Sequence, residues 1–554
     1  MILQYQYRTP TIPVSHGGPY TEPISYIMQN ASDHTYHGAS QHFLWPPGNL
    51  KATAFADFHE GMQTRCASGT LSRVSSRLAM EFRLMVPKQA RDDSMRPVAT
   101  LNDQEWTLSD PIDIYPSQTI PAYACISYVW GTGRSPNAIY PDVQMSDRTI
   151  AVLSAAMRNS SLHAFWIDAL CLPVDPISRS STLESMGYIY SRADRVIAVV
   201  GAETFAAIQK LVEMDKSNLA PTKEILDIIE GDRWVRSVWT YQEIVNSRDM
   251  YFVGEDLDTV PLHASEFLNR FGHGLQRYRA TAGLTTLILR SMYPGLDALE
   301  DVIADWMVSG YADRSAMEVI SNISRRTYDD PRNYYYAMIG AVTNLPSTQV
   351  HAFPTVEYLA EIFMEICEEK GDYSFIFTSN PRDERPGYGW RPRPGLLLPI
   401  LPVPSKGGIL AVERNAEGLR VKNMMVLRPS HSSSLSEEGR LFLKGRLSPW
   451  VGEVHADSDD ELARICADML IQAGFTGDRH QIVTDHGLFF PQNAIAGDVP
   501  LEVWAASSLA YHLGTPALGV AGAVNNLRYI PGVYVGLKDI AVGDVCIPLA
   551  SSDT

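Results

Sequence analysis

The sequence predicts an α/β fold built on a parallel sheet, and three adjoining stretches carry that prediction. Phe165-Trp166-Ile167-Asp168-Ala169-Leu170-Cys171 is an aromatic and apolar run that ends in a carboxylate, the pattern of a strand buried on both faces. Leu183, Met186, Ile189, Tyr190 and Ala193 then recur at helical spacing. Arg195-Val196-Ile197-Ala198-Val199-Val200-Gly201 supplies a second buried strand with a glycine stop. Strand, helix and strand in about forty residues make one βαβ unit. In such sheets ligands sit beyond the carboxyl ends of the strands, which is where Asp168 falls.

The first convincing strand lies earlier, at Tyr123-Ala124-Cys125-Ile126-Ser127-Tyr128-Val129-Trp130-Gly131, closed by Gly131 and Gly133. The Gly-Thr-Gly after it reads as a turn. It also suits backbone approaching a phosphate, although no GxGxxG follows. A helix is expected over 149–159, with Ile150, Leu153, Ala156 and Met157 inward. Residues 204–231 read as two helices split by Pro221. The stretch from Arg233 to Val245 reads as one helix, with Trp234, Val238, Tyr241 and Val245 on one stripe. Trp239 and Glu243, four apart, share a neighbouring face. A Trp beside a Glu excludes water, raises the acid's pKa and offers a surface for stacking; a core Trp beside a structurally bonded Glu fits the same spacing.

With 554 residues, 45% of them hydrophobic and 20% charged, the chain has the composition of a globular protein, of roughly three or four domains by length. A net charge of −17 argues against a duplex-binding surface and against docking on anionic lipid. The six cysteines, at 66, 125, 171, 367, 466 and 546, contain no CxxC pair, so neither a cysteine zinc site nor a disulfide framework is expected. The first residues lack a signal-peptide layout. The apolar window at 395–404 is too short and proline-broken to span a bilayer. These features predict a nuclear or cytoplasmic protein.

Five blocks, in order, resemble the fungal heterokaryon incompatibility (HET) domain. They are Tyr123 to Gly131, Phe165 to Cys171, Met186 to Gly201, Ser237 to Glu243, and Asp330-Pro331-Arg332-Asn333-Tyr334-Tyr335-Tyr336-Ala337-Met338-Ile339-Gly340. The segment from Val535 to Cys546 resembles the family's closing motif more loosely. The HET domain is itself similar to the TIR domain, so the resemblance implies a flavodoxin/TIR-like parallel sheet core. Trp239 to Glu243 resembles the helix start that carries the catalytic Glu of NAD-cleaving TIR domains. The resemblance therefore implies Glu243 and Asp168 as catalytic residues, with Trp239, Ser127, Gly131, Trp130 and Cys171 binding a nucleotide-like substrate. NAD would be a substrate rather than a cofactor.

The departures from the pattern fall beside this site. Val174 stands where the family motif has Gln, Ser178 replaces a Glu, Ser237 an Arg and Asn333 an Asp. Three functions follow as expectations. The first is a cell-death effector of nonself recognition that self-associates or pairs with another HET protein, with or without NAD cleavage. The second is an enzyme of fungal secondary metabolism using the same pocket. The third is an interaction scaffold.

The expected organisation is an irregular arm over 1–70, the HET domain over 71–255, an α-rich lobe over 256–380 and a small α+β or β-rich lobe over 381–554. Within these, a strand is expected at 78–86, helices at 284–292, 296–306 and 359–367, and a loop at 387–395 that packs rather than stacks on a base. Further strands are expected at 424–427, 441–444 and 533–537, with a helix at 457–472. Neither His34, His37 and His42 nor His480 and His486 suggest a metal site, and no HExxH is present.

Overall fold

A computed structural model describes residues 80–88, 98–101, 104–112, 120–255, 259–284, 289, 292–307, 314–347, 351–378, 380–399, 412–414, 418–427, 488–491, 515–521, 528–535 and 542–548. The histidine groups, the strand at 441–444, the helix at 457–472 and most of 284–292 lie outside the described residues.

Among the described residues, ten strands belong to the N-terminal half: β1 (Met85–Pro87), β2 (Val98–Leu101), β3 (Gln104–Leu108), β4 (Ala124–Ser127), β5 (Arg134–Pro136), β6 (Gln144–Ser146), β7 (Phe165–Trp166), β8 (Arg195–Val200), β9 (Met250–Gly254) and β10 (Leu262–His263). Eight of them form one mixed sheet in the order β10-β9-β8-β4-β7-β1-β3-β2. Its central strands β9, β8, β4 and β7 are parallel, and the strands flanking them are antiparallel. The parallel strands lie in the order second, first, third, fourth along the chain. The chain leaves β4 toward β7 on one side, then crosses back to β8 on the other. That reversal beside β4 is a topological switch point, the place where open α/β sheets leave a crevice.

The strands form where apolar runs are continuous. All four residues of β4 are buried, and β8 is a β-branched run buried from Val196 to Val200. The structure shortens the expected strands: β4 stops at Ser127, and Tyr128 to Trp130 leave the sheet as a loop, while β7 stops at Trp166 and the chain turns through Ile167 into a helical turn.

The helices around the sheet are α1 (Thr149–Arg158), α2 (Asp168–Cys171), α3 (Pro176–Glu184), α4 (Met186–Arg192), α5 (Ala202–Lys216), α6 (Lys223–Gly231), α7 (Arg233–Arg236), α8 (Val238–Asn246), α9 (Ala264–Ala282), α10 (Pro294–Met307), α11 (Ala316–Ile323), α12 (Pro331–Val342) and α13 (Val356–Lys370). Their ends follow local chemistry. Asp175 accepts from Ser178 N ahead of Pro176, Ser315 and Glu318 make a reciprocal capping box, and Gly371 ends α13 at φ 81°, as side-chain caps and left-handed glycines do.

The expected single helix over 233–245 is two. Ser237 has extended backbone, φ −72° and ψ 140°, and its hydroxyl accepts from Trp239 N. That cap starts α8 afresh and separates Trp234 from the stripe of Tyr241.

Helices α4, α8 and α12 meet with almost no clearance. A Cβ added at Gly187 would lie 2.1 Å from the Gly340 carbonyl oxygen, and one at Gly340 would lie 1.6 Å from Gln242 Oε1. Asn246 Nδ2 donates to Gly340 O at 2.6 Å. Only glycine permits this approach, and the seam fixes α8 against α4 and α12.

In the C-terminal half, β11 (Val412–Arg414), β12 (Gly418–Leu427), β13 (Leu488–Pro491), β14 (Thr515–Ala521), β15 (Arg528–Val535) and β16 (Val542–Pro548) form a second, six-stranded sheet. The loop at 387–395 packs as expected: Trp390 and Arg391 are buried, and Arg391 Nε donates to Glu368 at 2.7 Å.

Candidate functional site

Ser127 is the last residue of β4, Asp168 opens the single-turn helix after β7, and Glu243 lies in the second turn of α8. All three belong to the rim formed by the carboxyl ends of the parallel strands. The helix break at Ser237 aims α8 there. Arg326 Nη1 holds that break, donating to Val235 O at 3.1 Å and Ser237 O at 3.3 Å. At the other end of α8, Arg314 Nη1 donates to Asn246 Oδ1 at 3.1 Å.

Glu243 is nearly enclosed, at 5% exposure, and Ser127 is fully buried. The Ser127 hydroxyl donates to Glu243 Oε2, and Trp234 Nε1 donates to Ser127 Oγ at 2.8 Å. Trp234 stands edge-on to Phe252, with ring centroids 5.1 Å apart. Among the described residues no cation pairs with Glu243. Burial therefore dominates and pushes its carboxyl up to about 8. The hydrogen bonds of Ser127 and Tyr190 oppose the rise, and the charge of Asp168 adds to it.

Asp168 keeps partial exposure and is better supplied with donors. Trp130 Nε1 donates to Oδ2 at 3.0 Å and Ala169 N to Oδ1 at 2.6 Å. Burial raises this acid only to about 6, because those bonds, the Arg179 charge and Tyr128 hold it down. Near pH 7 the outer acid is thus mostly ionised and the inner one mostly protonated. Such a split gives two neighbouring carboxyls different tasks.

The remaining expected residues divide. Trp130 reaches Asp168 and belongs to the site. Ser127 belongs to it as well, but it faces Glu243 from inside the core rather than a phosphate. Gly131 N donates to Ser146 Oγ at 3.2 Å, so this amide is already engaged. The Trp239 ring stacks on Tyr336, with centroids 6.2 Å apart and planes at 14°. The indole tied to the inner acid is instead that of Trp234.

Cys171 is buried. Its sulfur accepts from Ile167 N at 3.5 Å, and burial pushes the thiol up to about 12; it also donates to Phe165 O at 3.8 Å, so it ties the turn to β7. Sequence reasoning missed Trp234, although Asp232 and Ser237 are both cap residues and signal two helix starts. Among the described residues no group of three or more His, Cys, Asp or Glu could hold a metal ion. No described helix is long and apolar enough to cross a membrane.

The family model described as heterokaryon incompatibility protein (HET) matches residues 123–243. That span begins at β4 and ends on Glu243. No curated protein and no solved structure matches the chain.

Proposed function

This chain carries a heterokaryon incompatibility domain over residues 123–243, and from that premise we propose a fungal nonself-response effector of cell death whose TIR-like core cleaves NAD. The observation that carries the chemistry is the pair of enclosed acids at the switch point, Asp168 bonded to Trp130 and Glu243 bonded to Ser127, with burial raising both carboxyls and Glu243 the more. The strand order second, first, third, fourth, with which flavodoxin-like sheets begin, supports the TIR-like reading.

In the proposed reaction the bond between ribose C1′ and the nicotinamide nitrogen breaks. Its electron pair leaves with nicotinamide, which departs neutral. The Asp168 carboxylate stabilises the oxocarbenium-like ribose and takes a proton from the water that adds to C1′. Glu243, neutral and screened from solvent, donates a hydrogen bond to a sugar hydroxyl. The products are nicotinamide and ADP-ribose. The effector reading includes self-association or pairing with another HET protein, and action in the cytoplasm.

Purified protein incubated with NAD is expected to release nicotinamide, and Asp168→Asn and Glu243→Gln are expected to lose that release. No release by any of the three removes the enzymatic form of the proposal. Equal release by all three removes both acids from their roles. Val174, exposed where the family motif has a Gln, favours a second reading: a site recut for a less polar small molecule of secondary metabolism. Accumulation of a pathway intermediate on gene deletion, without loss of the incompatibility response, would select it.

A further inference from the structure

A second group of reactive side chains lies at the opposite rim of the sheet, where β8 begins at Arg195 and β9 at Met250. His263 ends β10 and caps α9: its Nδ1 accepts from Ser265 N at 3.1 Å. A backbone N–H can only donate, so Nδ1 is the bare nitrogen and the ring hydrogen sits on Nε2. Nε2 faces Asp249 Oδ1 at 3.1 Å, and the other Asp249 oxygen accepts from Arg195 Nε at 3.2 Å. Ser265 Oγ lies 2.5 Å from the same bare Nδ1, so there the hydroxyl is the donor. The edge contact with Tyr251, centroids 5.1 Å apart and planes at 87°, limits rotation of the imidazole.

Capping α9 requires only the amide bond. The hydroxyl on Nδ1 and the carboxylate behind the ring add a nucleophile, a base in line with its proton, and an acid that orients the base. The group is open to solvent: the His263 and Asp249 side chains are 38% and 32% exposed, and Ser265 is partly exposed. Ser265 also stands in the first turn of α9, where helix amides favour a developing negative charge.

We propose that Ser265, His263 and Asp249 form a second catalytic centre that hydrolyses small activated esters through an acyl-serine. Ser265 Oγ bonds to the carbonyl carbon while its proton passes to His263 Nδ1, and Asp249 holds the resulting imidazolium. The ester C–O bond breaks, its electron pair leaves on the alcohol oxygen, and that oxygen takes the proton from Nδ1. Water then adds to the acyl carbon and gives its proton to Nδ1. The bond to Oγ breaks, Oγ regains the proton, and a carboxylic acid is released. Nothing in this step depends on the NAD reading.

The test treats the purified full chain with a fluorophosphonate probe and with p-nitrophenyl acetate. Wild type is expected to carry the phosphonyl group on Ser265, located by peptide mass spectrometry, and to release p-nitrophenolate; Ser265→Ala should lose both. His263→Asn keeps an oxygen that can cap a helix but no base, so labelling should slow by about 100-fold while near-ultraviolet circular dichroism stays unchanged. Asp249→Asn should slow it as well, and gives the reading if His263→Asn misfolds. Labelling of Ser265 should vanish when wild type is unfolded in urea. An unlabelled Ser265 in folded wild type, a label that persists in urea, or an unchanged rate in the folded His263 or Asp249 variant overturns the proposal.

Discussion

Asp215 and Glu243 are both almost sealed from solvent, at 2% and 5% exposure, yet the chain treats them in opposite ways. Asp215, on α5, is gripped by two arginines of α9. Arg270 Nη1 lies 2.9 Å away and Arg277 Nη1 closes on the other oxygen. Glu243 has the hydroxyls of Ser127 and Tyr190 and another acid for neighbours. Enclosing a carboxylate between cations offsets its desolvation and fastens two helices. Enclosing one without a cation raises its pKa and stores a proton. Of the two, only Glu243 lies at the carboxyl edge of the parallel strands, which is why the proposed chemistry assigns it a role.

Four outcomes would break or sharpen that contrast. The largest is catalytic. Asp168→Asn should lower nicotinamide release by about 100-fold or more, whereas Asp215→Asn should leave the rate per folded molecule unchanged. Next is stability. Asp215→Asn should cost about 2 kcal/mol in urea unfolding near pH 7; a fully buried pair would cost about 3–5 kcal/mol, but the arginines are 37% and 33% exposed and water recovers part of the loss. The third is a pH optimum. The proposed reaction uses Asp168 ionised and Glu243 protonated, so turnover should rise through about 6 and fall through about 8, giving a bell centred near neutrality. The smallest concerns Cys171. Cys171→Ala should cost about 1 kcal/mol and leave turnover within about twofold, because the thiol bonds only to backbone, of its own turn, of β7 and of β1.

The layout of the sheet was readable because buried parallel strands leave uninterrupted apolar runs, as in Val196 to Val200, and because Asp168 and Glu243 end or follow such runs. Three things were not readable. The lengths of β4 and β7 depend on where Tyr128 and Ile167 leave the ladder, and apolar content does not signal that departure. The antiparallel extension β1-β3-β2 rests on long-range pairing of short segments. The site itself was half legible. Spacing of three and four runs unbroken through Ser237, so Trp234 appears continuous with Tyr241 although a cap resets the helix between them. That reset turns Trp234 toward Ser127 and leaves Trp239 stacked on Tyr336. The glycines at 187 and 340, by contrast, were visible within family-like blocks, and the helix seam supplies the physical reason for them.

The most direct test of the stored proton is the unfolding free energy of wild type against Glu243→Gln from pH 4 to pH 9. A carboxyl raised from its ordinary 4.5 to about 8 in the fold contributes stability that is fully present below about 4.5 and lost as pH rises through about 8. Wild type should therefore lose ground to the variant across that window, by a few kcal/mol at ~1.4 kcal/mol per tenfold change in proton affinity, and the gap should level off above it. Two parallel curves would show that Glu243 is ionised in the fold like any exposed acid, and would contradict the account.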